Sequence, residues 1–278
     1  MKVSIIIPVY NAEKLIERSL LSAIKQSDVN KEIIVIDGAS NDETVSIIEK
    51  HKSYIAFFIS EPDTGIYNAM NKGIRLATGD IIGFLAAGDW YVNEHVLKEA
   101  AEEFKHDTDV YSGRIWRQLN GRWEMPLPDK DLDHLYYKGC LRQPASFFKK
   151  SVFERFGLYD ESYRCSGDYE FWLRLYTNHA KIQIADRIIT VMIDGGISSD
   201  PTKIAWKEDR EIVINYGVSP FVATYRYYWK NIRYFFVLTL KKIGLYSLAK
   251  RIIKKAVSYS DEELLSYGVD IKNPWFLA

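Results

Sequence analysis

Apolar and polar positions alternate in blocks along residues 1–90. Four blocks are apolar almost throughout, and the blocks between them place apolar residues three or four positions apart. A strand that is apolar along its whole length is buried on both faces, as in a parallel sheet covered by helices. The pattern therefore predicts an α/β fold, with strands at VSIIIPVY, EIIVIDG, YIAFFIS and DIIGFLA and helices at AEKLIERSLLSAIKQ, NDETVSIIEKHK and GIYNAMNKGIRLA.

A less regular pattern follows this alternation. One amphipathic helix is predicted at NEHVLKEAAEEFKHD, and a hairpin at DVYSGRIW and RWEM around Asn120–Gly121, a dipeptide that suits a type I′ turn. Further segments predict a strand and helix at SFFKKSVFERFG, a helix at GDYEFWLRLYTNH and an extended stretch at KIQIADRIITVMI. From Pro201 the pattern is helical to the end. We divide the chain into a domain at 1–200, with halves 1–90 and 91–200, and a helical C-terminal tail at 201–278.

Composition fits a globular protein without an evident nucleic-acid partner. The chain has 278 residues, 47% of them hydrophobic, and a formal net charge of zero. Two cysteines, Cys140 and Cys165, are too few for a disulfide framework and suggest thiols in a reducing cytoplasm. We see no signal peptide and no apolar run of about 18 residues, so we expect a cytoplasmic protein.

Charge is nevertheless uneven along the chain. Residues 212–260 contain no Asp or Glu, yet they carry nine Lys and Arg residues interleaved with aromatic ones. The tail could lie on an anionic membrane surface, with peripheral contact through 221–257 at the inner face of the cytoplasmic membrane. It could instead pack on the rest of the chain or on another subunit. Nothing in residues 1–200 supports nucleic acid binding.

Acidic residues recur at the ends of three predicted strands. Asp37, Asp63 and Asp89 follow the second, third and fourth strands. Ligands of open parallel sheets bind at this edge, and three carboxylates around one crevice call for a positive group between them. The chain has no G-x-G-x-x-G after the first strand and no G-x-x-x-x-G-K-[ST], so a phosphate here would need a metal or a basic residue. A single acid of this kind is as often the N-cap of a helix, and Ser40 or Asn41 is the predicted cap of the second helix.

Four stretches carry a resemblance to a known family. SIIIPVYNAEKLIERSLLSAIKQ, EIIVIDGASNDET, SEPDTGIYNAMNKGIRLATGDIIGFLAAGDWY and FFKKSVFERFGLYDESYRCSGDYEFWLRL resemble family 2 glycosyltransferases of the bacterial polysaccharide type, in order and over roughly residues 1–200. The resemblance implies the GT-A fold, a nucleotide-sugar donor, a divalent metal (Mn²⁺ or Mg²⁺) and inverting transfer. The site residues that it implies are Pro8, Tyr10, Asp37, Ser40, Asp63 and Lys72 for the nucleotide, Asp89 for the metal and Asp168 as general base.

The chain departs from the family pattern at two places. Ala86-Ala87-Gly88-Asp89 stands where relatives commonly carry paired acids, so one carboxylate of the metal motif is missing. Mg²⁺-type ions can bind through one protein carboxylate, with water and phosphate completing the shell. Arg142 precedes Gln143 where relatives often have His; the arginine could face the diphosphate or acceptor, or form a surface ion pair. DGGISSDP at 194–201 suits a closing loop or a plain connector.

These features predict a metal-dependent glycosyltransferase of cell-envelope polysaccharide biosynthesis, acting from a UDP-sugar on a glycan or lipid-linked acceptor. The alternative is a catalytically silent sugar-nucleotide-binding or scaffold protein of the same fold, suggested by the incomplete acidic motif. A nucleotidyltransferase would instead require a Gly-rich phosphate loop after the first strand, where this chain has PVYNAEK.

Overall fold

The computed structural model describes residues 1–119, 122–125, 131–137, 141–193 and 203–242, together with positions 258, 259, 264, 274 and 276. The bounds of the strands are β1 Val3–Val9, β2 Lys31–Asp37, β3 Phe57–Ser60, β4 Ile81–Phe84, β5 Trp90–Tyr91, β6 Val110–Leu119, β7 Arg122–Glu124, β8 Ser146–Lys149, β9 Ile182–Met192 and β10 Ser258–Tyr259. The bounds of the helices are α1 Ile16–Ile24, α2 Thr44–Lys50, α3 Ile66–Leu76, α4 Val96–Glu103, α5 Lys150–Phe156, α6 Gly167–Thr177, α7 Lys203–Asn215 and α8 Pro220–Lys242.

The first half of the chain forms the parallel sheet that the apolar blocks predict. β1 lies between β2 and β4, and β3 pairs with the outer edge of β2, all in parallel. Alternate residues of β1 enter two separate cores: Ile6 packs with α3 and α6, while Ile5 and Ile7 pack with α1 and α4. The helices therefore cover both faces of the sheet, as predicted.

The second half extends the sheet mainly by antiparallel pairing. β8 pairs with β4 and β6, β7 pairs with β6, and β9 runs parallel to β6. The predicted hairpin of β6 and β7 is confirmed, while its turn at Asn120–Gly121 lies outside the described residues. This pairing places β8 beside β4, and α6 packs on β8 in the same hydrophobic core. The end of β4 and the start of α6 therefore belong to one folded unit.

The C-terminal helices pack against this body. Ile212 and Val213 of α7 and Ala223 of α8 are buried in the same core as α3 and α6. The division at residue 200 stays a prediction. In the part of the chain that the structure describes, no helix is long and apolar enough to cross a membrane.

Two local predictions are wrong. Neither Ser40 nor Asn41 caps α2, which begins at Thr44, because Asp42 accepts the Thr44 N–H at 3.0 Å and Ser40 is held by Asp37. The tail is not helical to its end, since β10 pairs antiparallel with β7. An edge strand leaves backbone N–H and C=O groups unpaired, and β10 supplies partners for them.

Candidate active site

The loops after β1 and β2 are tied together by short polar contacts. Asp37, at the end of β2, is fully buried and accepts hydrogen bonds from the Ser40 N–H at 3.0 Å and the Ser60 hydroxyl at 2.6 Å. The Ser40 hydroxyl also bonds Asp37 and accepts the Asn11 N–H at 2.8 Å. Asn11 Oδ1 in turn accepts the Asn41 N–H at 2.9 Å. Asp37 is thus fixed at the carboxyl end of the sheet, where the sequence places it.

Asp63 approaches the same loop from β3. A Cβ added at Gly38 would lie 2.5 Å from Asp63 Oδ2 and 3.4 Å from the Tyr10 ring. Glycine at 38 therefore leaves room for the Asp63 carboxylate close to the end of β2. Tyr10 is 61% exposed and available to a flat ligand, whereas Pro8 is buried inside β1 opposite Ile36.

Lys72 supplies the positive charge beside these acids. It projects from α3, forms an ion pair with Glu61 at 2.7 Å and donates to the Pro62 carbonyl at 3.2 Å. Burial raises the pKa of Asp63, the Gly65 N–H and Lys72 act in the opposite direction, and nearby Asp37 raises it further. The cluster therefore combines three acids, Asp37, Glu61 and Asp63, with one cation at the edge of the sheet.

Asp89 is held apart from that cluster. It is 5% exposed at the turn after β4, and its carboxylate accepts a hydrogen bond from the backbone N–H of Ile193, just after β9. Burial raises the pKa of Asp89 well above its usual range. The turn is rigid: Ser19 of α1 donates to the Ala86 and Asp89 carbonyls at 3.0 and 2.8 Å and accepts the Gly88 N–H at 2.8 Å.

A divalent cation fits Asp89 as a single protein ligand. A buried carboxylate that is costly to ionise gains most from a cation beside it. Among the residues that the structure describes, no group of three or more His, Cys, Asp and Glu could hold a metal ion. The remaining ligands would have to come from water and from the bound diphosphate.

Asp168 occupies the first turn of α6 and is held by groups from distant parts of the sequence. Its Oδ1 accepts the Tyr169 N–H at 2.9 Å and the Tyr67 hydroxyl at 3.2 Å. Burial raises the pKa of Asp168, while these two hydrogen bonds and the positive charge of Arg142 act to lower it. Asp168 is partly buried, and these contacts fix the orientation of its carboxylate while part of the residue stays accessible.

Tyr67 was not among the sequence-predicted site residues. It is 5% exposed, donates to the Cys165 carbonyl at 2.9 Å, and its ring packs where a Cβ at Gly167 would lie 2.8 Å away. Its place inside the quoted GIYNAMNKG stretch was the available signal, but only the fold brings it to Asp168. Burial raises the pKa of Tyr67 well above its usual range, so the hydroxyl stays protonated and donates a hydrogen bond to the Asp168 carboxylate.

Glu208 of α7 is a second residue that the sequence did not single out. Its carboxylate accepts the backbone N–H groups of Arg164, Cys165 and Ser166 at 2.8–2.9 Å. Three N–H groups on one carboxylate fix the loop that leads into α6. The tail helix therefore takes part in positioning Asp168.

Arg142 and Gln143 lie at the same site. Arg142 is near enough to act electrostatically on Asp168. Gln143 donates to the Tyr159 hydroxyl at 2.6 Å, and the Tyr159 ring stacks on Tyr67 at 5.7 Å between centroids. The structure thus brings together Asp168, Arg142 and Gln143 in one group and Tyr10, Asp37, Ser40, Asp63 and Lys72 in another. The segment 194–201 lies outside the described residues.

Comparisons with known proteins agree with this architecture. A PGL/p-HBAD biosynthesis glycosyltransferase of Mycobacterium tuberculosis is 31% identical over 204 residues, covering 70% of this chain and 78% of the relative. S. aureus TarS 1–349, solved in complex with UDP-GlcNAc, has a TM-score of 0.62 at 22% identity, covering 80% of this chain and 69% of that one. Mannosyltransferase PcManGT from Pyrobaculum calidifontis, solved with GDP-Man and Mn²⁺, has a TM-score of 0.56 at 19% identity, covering 96% and 79%.

The family model described as Glycosyl transferase family 2 matches residues 4–167, which span both the Asp37–Asp63 edge and the loop before Asp168. This match covers more than half of the chain. The chain therefore belongs to glycosyltransferase family 2, and it is a glycosyltransferase with the GT-A fold.

Proposed function

We propose that this glycosyltransferase transfers a sugar from a UDP-sugar to a glycan or lipid-linked acceptor with inversion at the anomeric carbon. The observation that carries the proposal is the pairing of an acidic edge, where Asp63 is partly exposed near the buried Asp37, with a separate fixed carboxylate at Asp168. One region suits a nucleotide and the other suits an acceptor hydroxyl. Catalysis by direct displacement needs both.

In the donor half, Asp37 accepts a hydrogen bond from the N–H of the base and Tyr10 packs against its face. Ser40 holds the loop around them, and Pro8 is buried in β1 beside Ile36 at the end of β2. Asp63 and Lys72 lie toward the ribose and diphosphate, where the ammonium group of Lys72 offsets phosphate charge. A divalent cation on Asp89 would offset the charge that develops on the leaving diphosphate.

In the acceptor half, Asp168 takes the proton of the attacking hydroxyl. Its raised pKa makes it a stronger base than an ordinary aspartate, which improves proton abstraction near neutral pH. Tyr67 and the Tyr169 N–H bind Oδ1 and so direct Oδ2 toward the acceptor. Arg142 and Gln143 border this site, and we assign them to diphosphate or acceptor contact.

The test is an assay with the wild-type protein and a panel of UDP-, GDP- and TDP-sugars, each with Mn²⁺ and with EDTA. We expect release of UDP from one UDP-sugar, dependent on the metal, and a product whose anomeric configuration is opposite to that of the donor by proton NMR. Retention of configuration, or turnover of only GDP- or TDP-sugars, would contradict the proposal. Nucleotide binding without turnover on any acceptor would favour the silent binding protein instead.

We also propose peripheral contact with an anionic membrane through α8. One face of this helix carries exposed aromatic and apolar side chains, and residues 212–260 contain cations but no acids. Interfacial helices combine these two properties. The face, called here the aromatic stripe, consists of Phe221, Tyr225, Tyr228, Trp229, Ile232 and Phe236, which are 52–81% exposed.

Vesicle sedimentation tests the membrane contact. We expect the protein to bind phosphatidylglycerol vesicles more tightly than phosphatidylcholine vesicles at low salt, and the double variant Tyr225→Ser/Trp229→Ser to bind about tenfold or more weakly, since each buried aromatic ring contributes about 1.5–3 kcal/mol. Tyr54→Ser, which changes a 62% exposed tyrosine elsewhere, is the matched control. Failure of the wild-type protein to bind anionic vesicles would contradict this part of the proposal.

A further inference from the structure

A small cavity of about 30 Å³ lies beside the loop that carries Asp168. Its walls come from the turn at Leu132–Tyr136, from the first turn of α6, and from α7 and α8. The residues that line it include Tyr137, Tyr169, Trp206, Arg210, Arg226 and Tyr227. None of its lining residues belongs to the loops after β1, β2 or β3, so it is distinct from the donor edge.

Two contacts connect this cavity to Asp168. Tyr169, which lines it, is the next residue in the chain and donates its N–H to the Asp168 carboxylate. Asp209, also in the lining, accepts the Ser166 hydroxyl at 2.9 Å and acts electrostatically on Asp168. A molecule whose hydroxyl reaches Asp168 would therefore have this cavity within reach.

The cavity is cationic and aromatic. Arg226 stacks on the ring of Tyr137 at 3.8 Å, which fixes its guanidinium plane. Arg226 Nη1 is buried, and among the described residues it has no hydrogen-bond partner. Arg210 lies across the same cavity and is held by its Nε–H bond to the Thr224 hydroxyl at 3.0 Å. Two fixed guanidinium groups face one carboxylate, Asp209, which is already bonded to Ser166.

Fixed guanidinium groups in a partly enclosed cavity suit a phosphate or a carboxylate, because both accept paired N–H donors. The cavity is small, so it suits the anionic group itself rather than a whole ligand, and its aromatic walls limit contact of the guanidinium groups with water. A buried N–H without an acceptor costs free energy that such an anion would recover.

We propose that this cavity binds an anionic group of the acceptor, a phosphate or a carboxylate, through Arg210 and Arg226. The inference rests on the proposed function, because it takes Asp168 to be the base that meets the acceptor, away from the donor edge. It narrows the acceptor to a negatively charged molecule. It also explains why α7 and α8, which lie beyond the matched family region, pack against the catalytic half.

Residue-resolved arginine modification tests the proposal without knowledge of the whole acceptor. The full-length protein is treated with phenylglyoxal alone, with pyrophosphate or with glucuronate, and each arginine is followed by peptide mass spectrometry. At ten times its dissociation constant, a bound probe should slow the modification of Arg210 and Arg226 about tenfold. Arg155, which lies on α5 and pairs with Asp109 at 2.6 Å, is the control and should be unaffected.

The two probes distinguish the sources of the anion. Protection by pyrophosphate identifies a phosphate-bearing acceptor, and protection by glucuronate identifies an acidic sugar. No protection by either probe, or equal protection of Arg155, overturns the proposal. Arg226→Gln should remove the protection of Arg210, while Lys207→Gln, at a 71% exposed side chain on α7, should leave it intact.

Failure here is separable from failure of the proposed function. Calorimetric binding of UDP to the wild-type protein tests the donor edge and does not involve Arg210 or Arg226. Protein that binds UDP but shows no anion protection keeps its donor function and loses the acceptor inference. Protein that shows protection but binds no nucleotide loses the proposed donor while the anion site remains.

Discussion

Asp89 is buried and Asp168 is partly buried, and both carboxylates have raised pKa values, yet their surroundings differ. Asp168 accepts bonds from a hydroxyl and a backbone N–H, and Arg142 acts on it as a nearby positive charge. For Asp89, the group that favours the ionised form is the backbone N–H of Ile193. The protein thus offsets part of the cost of ionising Asp168 with its own groups, whereas Asp89 has one such group and would gain more from a cation.

This difference separates two roles. A residue that gains and loses a proton in each cycle must be stable in both forms, which matches the mixed surroundings of Asp168. A metal ligand need only be ionised when the metal is bound, which matches a carboxylate that is costly to ionise without a cation. Substitutions at Asp168, Glu208, Asp89 and Tyr67 test this difference.

The largest effect is expected for Asp168→Asn. The amide keeps the shape of the carboxylate but cannot accept the proton, so the transfer rate should fall about 10²–10⁴-fold. Nucleotide affinity, measured by calorimetry, should stay within about twofold because the donor edge is untouched. A variant that still transfers sugar at the wild-type rate would show that another group is the base.

Glu208→Gln should come next. It removes the charge that accepts three backbone N–H groups before α6, which should cost about 1–3 kcal/mol of unfolding free energy by urea titration and slow transfer. Glu211→Gln on the same helix is the control, since its carboxylate is 3.9 Å from Lys207 and 48% exposed. Equal stability of the two variants would remove Glu208 from the positioning of Asp168.

Asp89→Asn should change how stability depends on pH. Because folding raises the pKa of Asp89 above its ordinary value of 3.8, the protonated form stabilises the fold, and this contribution is lost as the pH rises through the folded-state pKa. In EDTA, the difference in unfolding free energy between variant and wild type should therefore grow with pH in favour of the variant. A difference in unfolding free energy that is independent of pH would mean that folding does not raise the pKa of Asp89.

Tyr67→Phe should have the smallest effect. Its hydroxyl lowers the pKa of Asp168, so its loss should raise that pKa and move the acidic limb of the pH–rate profile to higher pH. Tyr176→Phe, which removes a hydroxyl bonded to Asp133 further along α6, should leave the limb in place. A shift in the opposite direction would contradict the assigned hydrogen bond.

The sequence predicted what is local in this protein and missed what is assembled from afar. Asp37 and Ser40 are three residues apart, and their bond follows from the loop after one strand. Tyr67 lies about 100 residues before the Asp168 loop, and Glu208 lies about 40 residues after it. No spacing in the sequence predicts such contacts. The packing of α3 and α7 against the loop before α6 decides them, and α7 lies beyond the motifs.

Calorimetric titration of UDP into the wild-type protein and Asp89→Asn, each with Mn²⁺ and with EDTA, tests whether Asp89 holds a metal ion that binds the diphosphate. We expect Mn²⁺ to strengthen UDP binding to the wild type. We expect Asp89→Asn to abolish this metal dependence and to keep the weaker binding that the wild type shows in EDTA. Equal binding in all four titrations would contradict the account, because Asp89 would then have no part in holding the diphosphate.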